Sequence, residues 1–325
     1  MSMGISGKRI VIQNYGDFRR SPYAQQLTKI SARHGAVESW GVEIGGRISL
    51  HRDHHLSTPN VLNAKKRGIL PDECTKISFD WHQDNGLEFC FLPEKTVARI
   101  LSSQTSPGDV REVEQFVQRI DFYPDLIPEE CVHYPQAALG IFQELVLVSP
   151  QRMKASRAEL RFGFSRNDSR TTFKTNRWET EKGAFLNWHN LTEKPEDNHL
   201  FPSRIQQTSI GMQTFIAQSE TFRKGQPLVF DVDLDFFSGP EDRRKVPDDV
   251  REYLRSFPFE QQVEELVDQA LIFDPKFIPI SFSPNYPNGA DGWRFIDRLV
   301  ETLGLEREKV EVYQELRRTH RESPA

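Results

Sequence analysis

The stretch Lys76-Ile77-Ser78-Phe79-Asp80-Trp81-His82-Gln83-Asp84-Asn85-Gly86 decides how the rest of the chain is read. Its apolar opening has the texture of a strand buried in a parallel sheet, and it breaks off into Asp80, His82 and Asp84. Alternation along a strand points those three side chains the same way. Three metal-binding groups at a strand's carboxyl end stand where open α/β sheets place their ligands.

A second stretch repeats the design. Pro227-Leu228-Val229-Phe230 runs into Asp231, Asp233 and Asp235, which alternate with Val232, Leu234 and Phe236. A solvated edge strand with one acidic face would explain that alternation, but its apolar lead-in would then alternate too. A third stretch, Arg47-Ile48-Ser49-Leu50, ends in His51, Asp53, His54 and His55. His54 lies 26 residues before Asp80, room for one helix and a return strand in a βαβ unit. The three clusters are therefore expected along one edge of one sheet.

Working outward, short apolar runs separated by helix-like stretches predict a single α/β domain over residues 1–325 with a mainly parallel central sheet. Strands are expected at Arg9–Gln13, Arg47–Leu50, Lys76–Phe79, Glu144–Val148, Leu160–Phe164, Pro227–Val232 and Phe277–Phe282. Helices are expected near Ser21–His34, Thr58–Arg67, Glu94–Ser103, Asp248–Phe257, Glu260–Ile272 and Gly292–Leu303. In the fifth of these, Val263, Leu266, Val267, Ala270 and Leu271 would form one buried stripe. Residues 150–205 turn polar and read as an insertion or loop over the sheet edge, and the charged tail 315–325 is expected to fray.

Composition narrows the function. Of 325 residues 37% are hydrophobic and 27% charged, too apolar for a disordered chain and too polar for a membrane one. Lys and Arg number 42 against 47 Asp and Glu, so 42 − 47 gives −5, no global attraction to nucleic acid. Cys74, Cys90 and Cys131 show neither a disulfide framework nor a thiolate zinc spacing, and no apolar window suits a signal peptide or membrane span. A cytoplasmic setting is expected.

Convergence of Asp80, Asp84, Asp231 and Asp233 would gather four negative charges, which two divalent cations would cancel. Carboxylate oxygens mixed with imidazole suit Mn²⁺ better than a thiolate-type zinc site, with Fe²⁺ or Zn²⁺ as alternatives. Two such ions can share a bridging hydroxide as nucleophile, so metal-assisted hydrolysis is the chemistry the residues suggest.

The order Asp53-His54, then Asp80-Trp81-His82-Gln83-Asp84, then Phe230-Asp231-Val232-Asp233 resembles the arginase/agmatinase/deacetylase superfamily. The ending Asp233-Leu234-Asp235-Phe236-Phe237 is still more similar to a divergent arginase-like group that includes peptide arginases, which convert arginines of ribosomally made precursor peptides to ornithine. The resemblance implies a three-layer fold and two Mn²⁺ ions. It implies that His54, Asp80, Asp84 and Asp231 hold one ion, that Asp80, His82, Asp231 and Asp233 hold the other, and that Asp80 and Asp231 bridge. The substrate it implies is an arginine-containing precursor peptide.

Departures from the arginase pattern leave choices open. His51-Arg52 stands where arginases have Gly-Gly, so His54 and His55 compete for one ligand place. No glutamate follows the late strand at Ile278, and Glu88, Asp235 and Asp291 are the candidates for binding the guanidinium. His189, in a polar segment, could relay a proton to the leaving amine, and with Asp84 it completes the candidate catalytic residues. Three rivals stay open: a metal-dependent deacetylase-like amidohydrolase, a ureohydrolase of free arginine or agmatine, and a peptide-binding protein on a decayed hydrolase fold. The oligomeric state, including a homo-oligomer, is not fixed by the sequence.

Overall fold

The computed structural model describes residues 8–28, 40–52, 54–71, 73–82, 88–93, 132–138, 141–150, 155–165, 183–187, 198–222, 227–238, 252, 257–283 and 289–314. In chain order the strands are β1 (Lys8–Ile12), β2 (Trp40–Ile44), β3 (Ile48–His51), β4 (Thr75–Phe79), β5 (Glu88–Pro93) and β6 (Glu144–Ser149). They continue as β7 (Ser156–Ser165), β8 (Gly183–Asn187), β9 (Asn198–Gly211), β10 (Leu228–Asp233), β11 (Ile278–Ser281) and β12 (Val310–Gln314). The helices are α1 (Tyr15–Arg19), α2 (Pro22–Leu27), α3 (Ser57–Lys66), α4 (His133–Ala138), α5 (Met212–Ala217), α6 (Ser219–Phe222), α7 (Asp235–Ser238), α8 (Phe259–Phe273) and α9 (Gly289–Thr302).

Ten strands form one sheet in the order β1-β12-β2-β3-β11-β10-β4-β6-β9-β7. The six from β3 to β9 run parallel, and antiparallel strands close both margins. This is the α/β architecture with a mainly parallel centre that the apolar runs predict. Within the polar 150–205 stretch, the described residues build β7, β8 and the start of β9. β7 extends the sheet edge against β9, and β8 pairs with β5 apart from the main sheet.

Register gives the two faces of the sheet different chemistry. Ile77 lies level with Phe230 and Val146, and Val232 with Phe79 and Ile280, all of them in the hydrophobic core. Helix α8 packs Val263, Leu266, Val267 and Ala270 onto that face, and α9 adds Phe295, Ile296 and Leu299. Each fully buried Val, Leu, Ile or Phe side chain among them contributes about 1.5–3 kcal/mol relative to exposure. Leu271 does not join the stripe as expected: it is 47% exposed, because Phe273 takes the inward place at the helix end.

The opposite parity mixes buried apolar residues such as Val229, Leu145 and Leu147 with a polar group near the strand ends. Ser78 lies level with Asp231, and Ser281 with both Asp233 and His51, and all five side chains are buried. Lys76 and Asp80 share this face by alternation. Helices α3 and α4 cover it, tied together where Gln136 Nε2 donates to Thr58 Oγ1 at 3.1 Å and to Ser57 Oγ at 3.4 Å. Among the described residues no helix is long and apolar enough to cross a membrane.

Candidate metal centre

β3, β10 and β4 end side by side with only β11 between β3 and β10, so the three acidic and histidine clusters reach one edge of the sheet. The same local device terminates two of them. β4 stops at Phe79, and Asp80 Oδ1 accepts the backbone N–H of His82 at 2.7 Å. β10 stops at Asp233, whose Oδ1 accepts the N–H of Asp235 at 3.2 Å. An aspartate accepting from the backbone two residues on forms an Asx turn, which competes with continued strand. His82 and Asp235 are thus placed by turns, not by the strand alternation that the sequence predicts.

Each turn leaves the second carboxylate oxygen aimed at one imidazole. His54 opens a 3-10 turn after β3 and is 2% exposed, with Nδ1 at 3.4 Å from Asp80 Oδ2 and 3.3 Å from Asp233 Oδ2. Its Nε2 lies 3.1 Å from Asp231 Oδ2. Burial pushes the imidazole towards neutrality, but the charges of Asp231 and Asp233 outweigh it and hold the His54 pKa well above its ordinary value. His133 meets the His54 ring edge to face at 5.7 Å and goes the other way, depressed by burial and then by Lys76 and His54.

Asp231 is embedded differently from its neighbours. Lys76 Nζ stands 2.7 Å from its Oδ2, with both side chains 0% exposed. Ser57 Oγ donates to Oδ1 and Ser78 Oγ to Oδ2, each at 3.3 Å, and Lys76 also donates to Gln136 Oε1 at 2.8 Å. Burial raises the Asp231 pKa, but Lys76 and then His54 more than offset it and keep the carboxyl well below the usual range. Sequence reading passed over Lys76 as part of an apolar lead-in. The signal was available: Lys76, Ser78 and Asp80 alternate with Thr75, Ile77 and Phe79, the pattern of a strand with one polar face.

Asp235 closes the arrangement. Its Oδ1 accepts from Trp81 N–H at 3.2 Å and its Oδ2 lies 2.9 Å from Nδ1 of His82, a side chain 45% exposed at the rim. Two groups of metal-binding atoms result, His54 with Asp80 and Asp233, and Asp80 with His82 and Asp235, each within 4.8 Å. Asp80 belongs to both. Bonds of roughly 2.0–2.2 Å to one ion set neighbouring donors about 3.0–3.5 Å apart, so the 3.3 and 3.4 Å separations at His54 fit a bound cation. The four carboxylates of Asp80, Asp231, Asp233 and Asp235 less the Lys76 charge, −4 + 1, leave −3 to be compensated when His54 is neutral.

Of the residues singled out in the sequence, His54, Asp80, His82, Asp231, Asp233 and Asp235 are brought together. Asp84 and His189 lie outside the described residues, as do the side chains of His55, Glu88 and Asp291, the expected helix at Glu94–Ser103 and the tail 315–325. Ser283, which sequence reading missed, donates through Oγ to Asp233 Oδ2 at 2.7 Å from a backbone held at φ 41°. Non-glycine residues in that left-handed region tend to gather at functional sites. No protein-family profile matches the chain, and no curated protein matches it.

Proposed function

We propose that the chain is a cytoplasmic, dinuclear Mn²⁺-dependent hydrolase of guanidino groups that converts arginine side chains of a precursor peptide to ornithine and releases urea. The observation that carries this reading is the convergence of His54 Nδ1 with Asp80 Oδ2 and Asp233 Oδ2 at the strand ends, with Asp80 shared by the second group, His82 and Asp235. His54, Asp80 and Asp233 would hold one ion, and Asp80, His82 and Asp235 the other. When bound, such a pair supplies Lewis acidity and a water acidic enough to ionise near neutral pH.

The chain's own residues set the rest. The carboxylates and the bound pair would nearly cancel each other's charge, so a cationic guanidinium would need a carboxylate of its own. Hydrolysis adds water across the bond between the guanidinium carbon and the side-chain nitrogen: the carbon leaves in urea, and the nitrogen gains a proton and stays as the ornithine amine. His189 is the candidate donor of that proton. Of the three candidates for the guanidinium, Glu88, Asp235 and Asp291, the first and last remain, because Asp235 would be taken up by the second ion.

Incubating the Mn²⁺-loaded protein with arginine peptides, acetyl-lysine peptides, free arginine and agmatine tests the reading. Both peptide reactions lower the mass almost equally, so urea and side-chain identity are the readouts. Urea with peptidyl ornithine is the expected result. Acetate from acetyl-lysine without urea would replace the reading with deacylation.

A further inference from the structure

We propose that Asp231 is a positioning residue and not a metal ligand, its charge compensated by Lys76, and that Asp235 is the carboxylate that completes the second ion's site. This rests on the dinuclear reading above and departs from the ligand set that the arginase resemblance implies. Both Asp231 oxygens are engaged by protein groups: Lys76, Ser78 and His54 Nε2 at Oδ2, and Ser57 at Oδ1. An ion bound to Asp231 would have to compete with an ammonium 2.7 Å away in a place with no solvent, where two cations on one carboxylate repel. Lys76 is held in place: the side chain is fully buried and the same nitrogen donates to Gln136 Oε1 at 2.8 Å.

What Asp231 does accomplish is orientation. With Nε2–H donating to Asp231, the His54 lone pair sits on Nδ1, the atom that faces Asp80 and Asp233. A carboxylate that fixes the tautomer of a ligating histidine is the usual outer partner of such sites, and losing one weakens metal binding about 10–100-fold without removing the site. Asp235, by contrast, lies with Asp80 and His82 in a group whose imidazole reaches the rim. The turn that places it, through Asp233 Oδ1, couples the two sites.

The test is Mn²⁺ stoichiometry by equilibrium dialysis with elemental analysis, joined to the electron paramagnetic signal of a coupled Mn²⁺ pair, on the full chain. Wild type is expected to bind two ions with a coupled signal. Asp235→Asn is expected to bind one and lose the coupling. Because Asp231→Asn alone strands the Lys76 charge in the interior, the informative partner is the charge-neutral pair Lys76→Met/Asp231→Asn, in which the amide oxygen still accepts from His54. That double variant is expected to keep two ions and the coupled signal at about 10–100-fold weaker affinity. A folded double variant that binds one ion or none overturns the assignment. If the double variant does not fold, Asp235→Asn decides alone, and two ions retained there overturn it. A wild-type chain that binds one ion or none instead fails the dinuclear reading itself, before any variant is compared.

Discussion

Replacing Lys76 with Met removes the ammonium but keeps most of the aliphatic stem, and it leaves the Asp231 carboxylate in a place that no solvent reaches. Ser57, Ser78 and His54 remain as its partners. Breaking one side of a buried pair costs about 3–5 kcal/mol, because the surviving charge keeps its desolvation penalty. At roughly 2.1 cal/mol/K per residue, unfolding 325 residues carries an entropy of about 0.7 kcal/mol/K, so the metal-free midpoint should fall by about 4–7 °C. A bound cation nearby compensates part of the buried, unpaired charge, and adding Mn²⁺ should therefore raise the midpoint more in Lys76→Met than in wild type. Scanning calorimetry in EDTA and in excess Mn²⁺ reads both quantities. A metal-free midpoint within about 1 °C of wild type would refute the claim that Lys76 compensates Asp231.

Ser283→Ala deletes the 2.7 Å hydrogen bond to Asp233 Oδ2 and should weaken Mn²⁺ binding about tenfold in isothermal titration. The metal-free midpoint should move by no more than about 2 °C, and unchanged affinity would show that Ser283 does not orient this carboxylate. Burial pushes the Cys74 thiol up to about 11 from an ordinary 9.0, against the opposing charges of Lys65 and Lys76, and Sγ donates to the Ile141 carbonyl at 2.8 Å. Thiolate, the reactive form, is then about a hundredfold scarcer at pH 8 than at an ordinary thiol. Iodoacetamide labelling mapped by mass spectrometry should spare Cys74 in the native protein and modify it after guanidinium unfolding, and equal labelling in both states would contradict that environment.

The parallel centre of the fold is legible because strands buried on both faces read as short, mostly apolar runs, and β3, β4, β6, β10 and β11 fall where such runs stand. The outermost strands, β1 and β7, also overlap expected runs at Arg9–Gln13 and Leu160–Phe164, and it is the strands just inside them that are harder. β2 is interrupted by Gly41 and Glu43, β12 alternates Val310, Val312 and Glu311, and most of β9 is polar, so none carries a run to find. Glu43 is explained only in three dimensions, where Arg67 grips it with two nitrogens at 2.7 and 2.6 Å. The same holds at the candidate site. Histidines and aspartates announce themselves at the strand ends, but a lysine is almost never fully buried unless paired, and its pair, Asp231, lies 155 positions away from Lys76. Asp235 reads as the next outward residue of an alternating strand, whereas the chain turns after Asp233 and sends the carboxylate to His82.

Urea released from an arginine-containing peptide by the Mn²⁺-loaded protein, quantified against ornithine formed in that peptide and repeated after chelation, bears most directly on the proposed activity. One urea for each ornithine, lost with EDTA and restored by Mn²⁺, is the predicted result. A protein that binds its metal yet releases no urea from any arginine peptide or free guanidino compound would contradict it.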